Sequence, residues 1–133
     1  MAYWIFTLFV FLHGLVHLFY LAWSQGRLIP EEGFNWSPNS WAFTTWLGED
    51  ATRRLGMLLF GAAALLFVVA VVGLATSQGW TPSWLTAATA FSTLTILLMW
   101  DGQFSALADK GFVGLLVNLG LFLALYGFGF PRL

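Results

Sequence analysis

Two histidines, His13 and His17, are the only ones in the chain, and they stand four residues apart. On a helix that spacing puts both imidazoles on one face, one turn from each other. An imidazole can ligate a metal, hold the centre of a tetrapyrrole, hydrogen-bond through either nitrogen, or change charge near neutral pH. Tyr20 and Ser24 continue the same face at helical spacing. Few other polar groups accompany them. Asn118 lies inside a later apolar segment, Asp101 follows Trp100 at the end of another, and Arg53 and Arg54 open a third.

Each chemistry makes a different demand. A metal can use the His-xxx-His pair for two nitrogens, and zinc then needs one or two further ligands. Asp101 or a loop glutamate is the ready supply. Haem clamped from both sides needs histidines on different faces or chains. One histidine can still hold a haem or a chlorophyll-type pigment, and a dimer can pair two. A histidine–aspartate pair can relay protons. The structural alternative is that the imidazoles hydrogen-bond a carbonyl, Asn118, or a hydroxyl such as Thr86, Thr89 or Thr93 on another helix. No nucleophile–base pair, phosphate loop or paired-acid motif is present, so hydrolysis and phosphoryl transfer have no support.

The elements that position these residues are four apolar segments, about 2–23, 55–76, 82–100 and 112–130. None carries a formal charge in its interior. Each is near the length of about 20 residues that crosses a hydrocarbon core. A chain that is 59% hydrophobic and 8% charged lacks the polar surface of a soluble domain, in which about 25% of residues are charged. The expected fold is therefore all-α, a single transmembrane domain over 1–133, arranged as a four-helix up-down-up-down bundle. Met-Ala-Tyr-Trp has no basic n-region and no small-x-small site follows, so the first segment reads as a span rather than a signal peptide.

Charge orients the bundle. Every acidic residue, and every basic one except Arg132, falls on the side opposite the N-terminus. Arg27, Arg53, Arg54 and Lys110 then place that side in the cytoplasm, with both termini outside the inner membrane. The eight tryptophans fit an interfacial belt: Trp4, Trp80 and Trp84 at one level, Trp23 and Trp100 at the other, and Trp36, Trp41 and Trp46 in the long connection. A net charge of −1 and the lack of a basic patch exclude an electrostatic role with nucleic acid. Cysteine is absent, which removes disulfides, thiol catalysis and thiolate metal sites.

The connections differ in kind. Ser77–Thr81 is a short turn around Gly79, with Pro82 in the next helix's first turn. Asp101–Gly111 is short and bounded by Gly102 and Gly111. The segment 24–50 is long and aromatic, broken by Pro30, Gly33 and Pro38. It reads as an ordered loop on the cytoplasmic mouth, with Ser40 capping a short helix Trp41–Leu47 that ends at Gly48. Small residues mark close helix contacts: Gly56, Gly61 and Ala62–Ala64 in the second segment, Ala87, Ala88 and Ala90 in the third, and Gly114, Gly120 and Ala124 in the fourth.

These motifs together resemble a group of small bacterial four-helix membrane proteins, mostly uncharacterised. The pattern is His13-Gly14-Leu15-Val16-His17, Arg54-Leu55-Gly56, Trp100-Asp101-Gly102, and Lys110-Gly111 through Gly114 to Asn118. The resemblance covers most of the chain outside the aromatic loop and implies the fold without an activity. A more distant likeness to DoxX-like membrane proteins rests on topology and small-residue packing, and brings a quinone-linked redox partner only by analogy.

The resulting expectation is a polar pocket in the cytoplasmic half. His13, His17, Tyr20, Arg54, Asp101 and Asn118 would line it, and a metal held by His13 and His17, a tetrapyrrole or a small lipophile would occupy it. The alternatives are an accessory subunit whose histidines pack, and a proton-handling transporter or membrane enzyme. The expected partners are the lipid bilayer and either further copies of the chain or other membrane subunits.

Overall fold

A computed structural model describes residues 1–25 and 39–131, apart from the side chain of Trp23. Arg27, Pro30, Glu31, Glu32, Gly33, Trp36, Pro38 and Arg132, on which the orientation and loop readings drew, lie outside the described residues. The described residues are helical and contain no strand. The helices are α1 (Ala2–Ser24), α2 (Thr44–Leu47), α3 (Glu49–Ala75), α4 (Thr81–Met99) and α5 (Phe112–Phe122). A 3-10 turn, Leu107–Lys110, precedes α5, and a wider π-helical turn, Leu123–Gly127, extends it. By length and composition, α1, α3 and α4 are each able to cross a membrane, whereas the apolar helix Phe112–Gly127 is shorter.

Local chemistry explains each boundary. α3 starts at Glu49 rather than at Leu55, where the apolar stretch begins. Glu49 and Asp50 occupy its first turn, where carboxylates meet the positive end of the helix dipole. Beyond α3 the left-handed residue is Ser77 (φ 53°) rather than Gly79. The Gln78 N–H returns to the Gly73 carbonyl at 2.9 Å, closing the turn. Pro82 sits in the first turn of α4, where its missing N–H costs nothing. In α4 the hydroxyls of Thr86, Thr89 and Thr93 donate to carbonyls four residues back at 2.8, 2.7 and 2.9 Å. That bond keeps a β-branched polar residue satisfied inside an apolar helix. α5 follows Gly111 (φ 87°) and its extension ends before Gly129 (φ 58°), well short of Phe130.

Neighbouring helices run antiparallel. The Tyr3 hydroxyl donates to the Leu74 carbonyl, Gly14 faces Phe67, and Ser24 faces Gly56, which fixes α1 on α3. Gly56 faces Met99 and Gly73 faces Thr81, which fixes α3 on α4. Thr86 meets Tyr126 at 2.9 Å and Ile96 meets Gly114, which sets α4 against α5. One apolar cluster centres on Val10, Phe67, Leu74, Leu85 and Leu121. A second holds Tyr20, Phe60, Ile96 and Met99.

Glycine permits these approaches at particular points. A Cβ at Gly14 would lie 2.8 Å from the Phe67 Cβ, closer than carbon atoms tolerate. Gly120 is different: it is exposed, and a Cβ there would meet nothing within 4 Å. The Gly120–Ala124 pair expected to thin a helix contact therefore faces outward at Gly120, because α5 turns its Gly114–Asn118–Leu121 face to the interior.

The described part of the aromatic connection is fastened to the end of α4. The last carbonyls of a helix lack intrahelical partners. Here the Trp41 N–H donates to the Trp100 carbonyl at 2.8 Å, the Trp41 indole to the Leu97 carbonyl at 2.7 Å, and the Ser40 hydroxyl to the Leu98 carbonyl. Ser40 Oγ also accepts the N–H groups of Ala42 and Phe43 at 3.1 and 3.2 Å. Ser40 thus caps a turn, and α2 proper starts only at Thr44.

Thermal unfolding in mild detergent checks the packing argument. Gly14→Val should destabilise the protein by about 1–3 kcal/mol through overpacking against Phe67. Gly120→Ala should change stability by no more than about 0.5 kcal/mol.

Candidate functional site

The polar core lies where α1, α4 and α5 meet. The interior stripe of α1 continues from His13 (5% exposed) and His17 (0%) to Tyr20 and Ser24, all buried. α4 turns Ser92 (0%) toward them, and α5 supplies Asn118 (1%). α3 contributes no polar group to this cluster. It contributes Phe67, whose ring lies 4.9 Å from His13 and 5.3 Å from His17 between centroids. The two imidazoles meet edge to face at 5.1 Å.

One contact fixes the direction of the whole network. His17 Nδ1 lies 3.0 Å from the His13 carbonyl oxygen. A carbonyl only accepts, so Nδ1 carries the proton and donates. In the neutral ring His17 Nε2 is then an acceptor, and the Ser92 hydroxyl, 2.7 Å away, donates to it. Ser92 Oγ in turn accepts Asn118 Nδ2–H at 2.8 Å. The second Asn118 hydrogen goes to Thr93 Oγ1 at 3.0 Å. The Asn118 carbonyl oxygen faces His13 Nε2 at 2.8 Å, so His13 is the donor there. The result is a directed chain from His13 to Asn118 to Ser92 to His17, which returns to the backbone of His13. No polar atom named in it is left without a partner.

Of the expected site residues, His13, His17 and Asn118 come together. Tyr20 adjoins them: its ring lies 5.8 Å from that of His17, and its hydroxyl contacts the backbone of Gly114 at the start of α5. Arg54 and Asp101 are placed elsewhere. Arg54 is exposed on the first turns of α3. Asp101 pairs with Lys110 at 2.8 Å, with both side chains almost fully buried. It also accepts the Gln103 N–H at 3.0 Å. Its partner is thus the start of α5, and it orders the turn between the two helices.

Ser92 was not singled out in the sequence. Its signal was the run Thr81, Leu85, Thr89, Ser92 and Ile96 along one α4 face, all buried. In an apolar chain a hydroxyl recurring at helical spacing marks the inward face.

The two imidazoles bring no third protein ligand with them from the described residues, since Asp101 is paired with Lys110. Three of the four ring nitrogens are committed to hydrogen bonds. Among the described residues no group of three or more metal-ligating side chains gathers. A tetrapyrrole would have to reach an in-plane ring nitrogen, and both imidazoles are buried (5% and 0% exposed) against Phe67, Tyr20 and each other. What the arrangement does well is join three helices through one amide and one hydroxyl.

No protein-family model, no curated protein and no solved structure matches this chain.

Nitrogen-15 NMR of histidine-labelled protein tests the directed chain. It should show two different tautomers, Nε2–H for His13 and Nδ1–H for His17. Ser92→Ala removes one donor and one acceptor, so it should cost about 1–3 kcal/mol in thermal unfolding and shift the His17 signal most.

Proposed function

We propose that this chain is a four-span integral membrane protein of the inner membrane, running up-down-up-down with both termini outside. Its role is structural or accessory, and its interior histidines tie helices together. The observation that carries this reading is the closed hydrogen-bond chain through His13, Asn118, Ser92 and His17.

Several features support the membrane setting. Three helices have the length and composition for it. Their outward faces carry large apolar side chains such as Leu8, Leu58, Leu65, Val72 and Leu94, each more than half exposed. Soluble monomers rarely leave contiguous apolar surface of this extent in water. Phe112–Gly127 makes a short fourth crossing, completed by Phe128 and Phe130. Trp4, Trp80 and Trp84 at one end, and Trp41, Trp46 and Trp100 at the other, would lie at headgroup level. Arg53, Arg54 and Lys110 share the latter end and favour the cytoplasm there.

Hydrogen bonds between helices substitute in hydrocarbon for the hydrophobic drive that lipid removes. Each averages only about 0.6 kcal/mol, with a ceiling of about 1.7 kcal/mol. Asn118 makes three, so one residue concentrates much of the polar cohesion. A scaffold of this size exposes its apolar flanks, so further copies or other membrane subunits are natural neighbours.

Unfolding and proton flux separate this role from proton handling. Asn118→Leu should lower stability by about 2 kcal/mol. His13→Leu on top of it should cost less than it does in the native background, because the partner is already lost. Vesicles containing the native protein should show the same proton leak as protein-free vesicles. A protein-dependent flux that disappears in His17→Gln would overturn the structural reading.

A further inference from the structure

A second feature lies at the charged end of the molecule, away from the histidines. α4, α5 and the turn joining them enclose a half-open pocket of about 170 Å³. Its walls include Ile96, Leu97 and Trp100 from α4, Phe104 and Leu107 from the turn, and Leu115 from α5.

The polar groups nearby are already engaged. Lys110 also lines the pocket, but its ammonium is held by Asp101 at 2.8 Å and by the Gln103 carbonyl at 3.4 Å. Its methylene stem remains as apolar wall. The Trp100 indole N–H donates to the Gln103 carbonyl at 3.0 Å. A guest therefore finds neither a free donor nor an unpaired charge, and the part that enters must be hydrocarbon. The volume suits it, since an apolar cavity of about 150 Å³ accepts a guest the size of benzene. The rim is apolar too: Phe104 is 79% exposed, and Leu97 and Phe112 are each 44% exposed.

We propose that this pocket takes one acyl chain of a bilayer phospholipid. The proposal rests on the membrane-spanning reading above. The pocket sits beside Trp100 and the Asp101–Lys110 pair, where apolar helix gives way to charge. A lipid whose headgroup lies at that level can lay part of its chain against Leu107 and Leu115. The paired Asp101 and Lys110 offer no net charge to a headgroup, so the chain and not the head is recognised.

Photolabelling of the full protein in vesicles tests this. Phosphatidylcholine carrying a diazirine in one acyl chain is the probe, and peptide mass spectrometry maps the adducts. Leu107, Leu115 and Phe104 should be labelled at least fivefold above Leu58, Leu65 and Val72, which report ordinary contact of α3 with lipid. Leu107→Trp fills the pocket and should bring Leu115 down to the α3 level while α3 labelling persists. Leu107→Phe serves if the tryptophan variant does not fold. Labelling of the pocket no stronger than that of α3, or an excess that survives the filling variant, overturns the proposal. An excess seen only with the same chain supplied as a free fatty acid overturns the choice of phospholipid. Absence of adducts on α3 as well would instead overturn the membrane reading itself.

Discussion

A single amide holds this fold's polar interior together. Asn118 has one acceptor and two donor hydrogens. All three are used, toward His13 on α1 and toward Ser92 and Thr93 on α4. A buried polar group without a partner costs about 1–3 kcal/mol. Each group in the cluster is therefore tolerable only while the others stay in place. That mutual dependence sets the rotation of three helices: α1 must present His13 and His17, α4 must present Ser92, and α5 must present Asn118. α3 answers with an aromatic wall, Phe67, and asks for no polar partner.

Such bonds reach only if the backbones are close, so the glycines and the network belong to one design. Gly14 lies between the two histidines and lets α1 settle onto Phe67. Gly114 stands one helical turn before Asn118. A Cβ there would come within 3.0 Å of both Ile96 Cδ1 and the Tyr20 hydroxyl. A side chain there would force Ile96 or Tyr20 to yield by a few tenths of an ångström. The Asp101–Lys110 pair acts on the same register from the end. A buried ion pair contributes little net stability against an apolar replacement, but it restricts where the turn can place the start of α5. The Ser40–Trp41 strap closes the carbonyl end of α4, so the helix that carries Ser92 is fastened at that end.

The sequence made some of this readable and hid the rest for physical reasons. α1 and α4 begin and end within a residue of the apolar segments that announced them, because the C-terminal end of α1 and both ends of α4 coincide with loss of hydropathy. At α3 the helix outruns its apolar stretch, since backbone hydrogen bonding continues through Glu49–Arg54. At α5 the apolar stretch outruns the helix, since glycines interrupt the backbone while Phe128 and Phe130 keep the hydropathy high. His13, His17 and Asn118 stood out as polar groups in apolar surroundings. Ser92 did not, because its threonine neighbours satisfy themselves on their own helix, and a hydroxyl's outward reach is invisible in a sequence. Arg54 and Asp101 shared a level along the bundle axis with the expected pocket. Level is legible from hydropathy. The direction in which a side chain leaves its helix end is not.

The direction of the hydrogen bonds also bears on what the histidines are for. A proton carrier of the imidazole type must accept at one ring nitrogen and release from the other. At His17 the second nitrogen points to the His13 carbonyl. A peptide carbonyl accepts a hydrogen bond but does not pass a proton on, so the chain ends in backbone. At its other end, His13 donates to an amide oxygen, which is an equally poor carrier. For this chain to conduct, His17 would have to break the bond that selects its tautomer, and Ser92 would then face a donor instead of an acceptor. Asn118 would have to flip in response, setting its NH2 against His13 Nε2–H. Unless the His13 proton moves to Nδ1 at the same time, that arrangement sets donor against donor, and a deprotonated His17 Nδ1 would face the His13 carbonyl. Reversing the chain therefore requires both imidazoles, the hydroxyl and the amide to change together, a cost that the structural role proposed above does not incur.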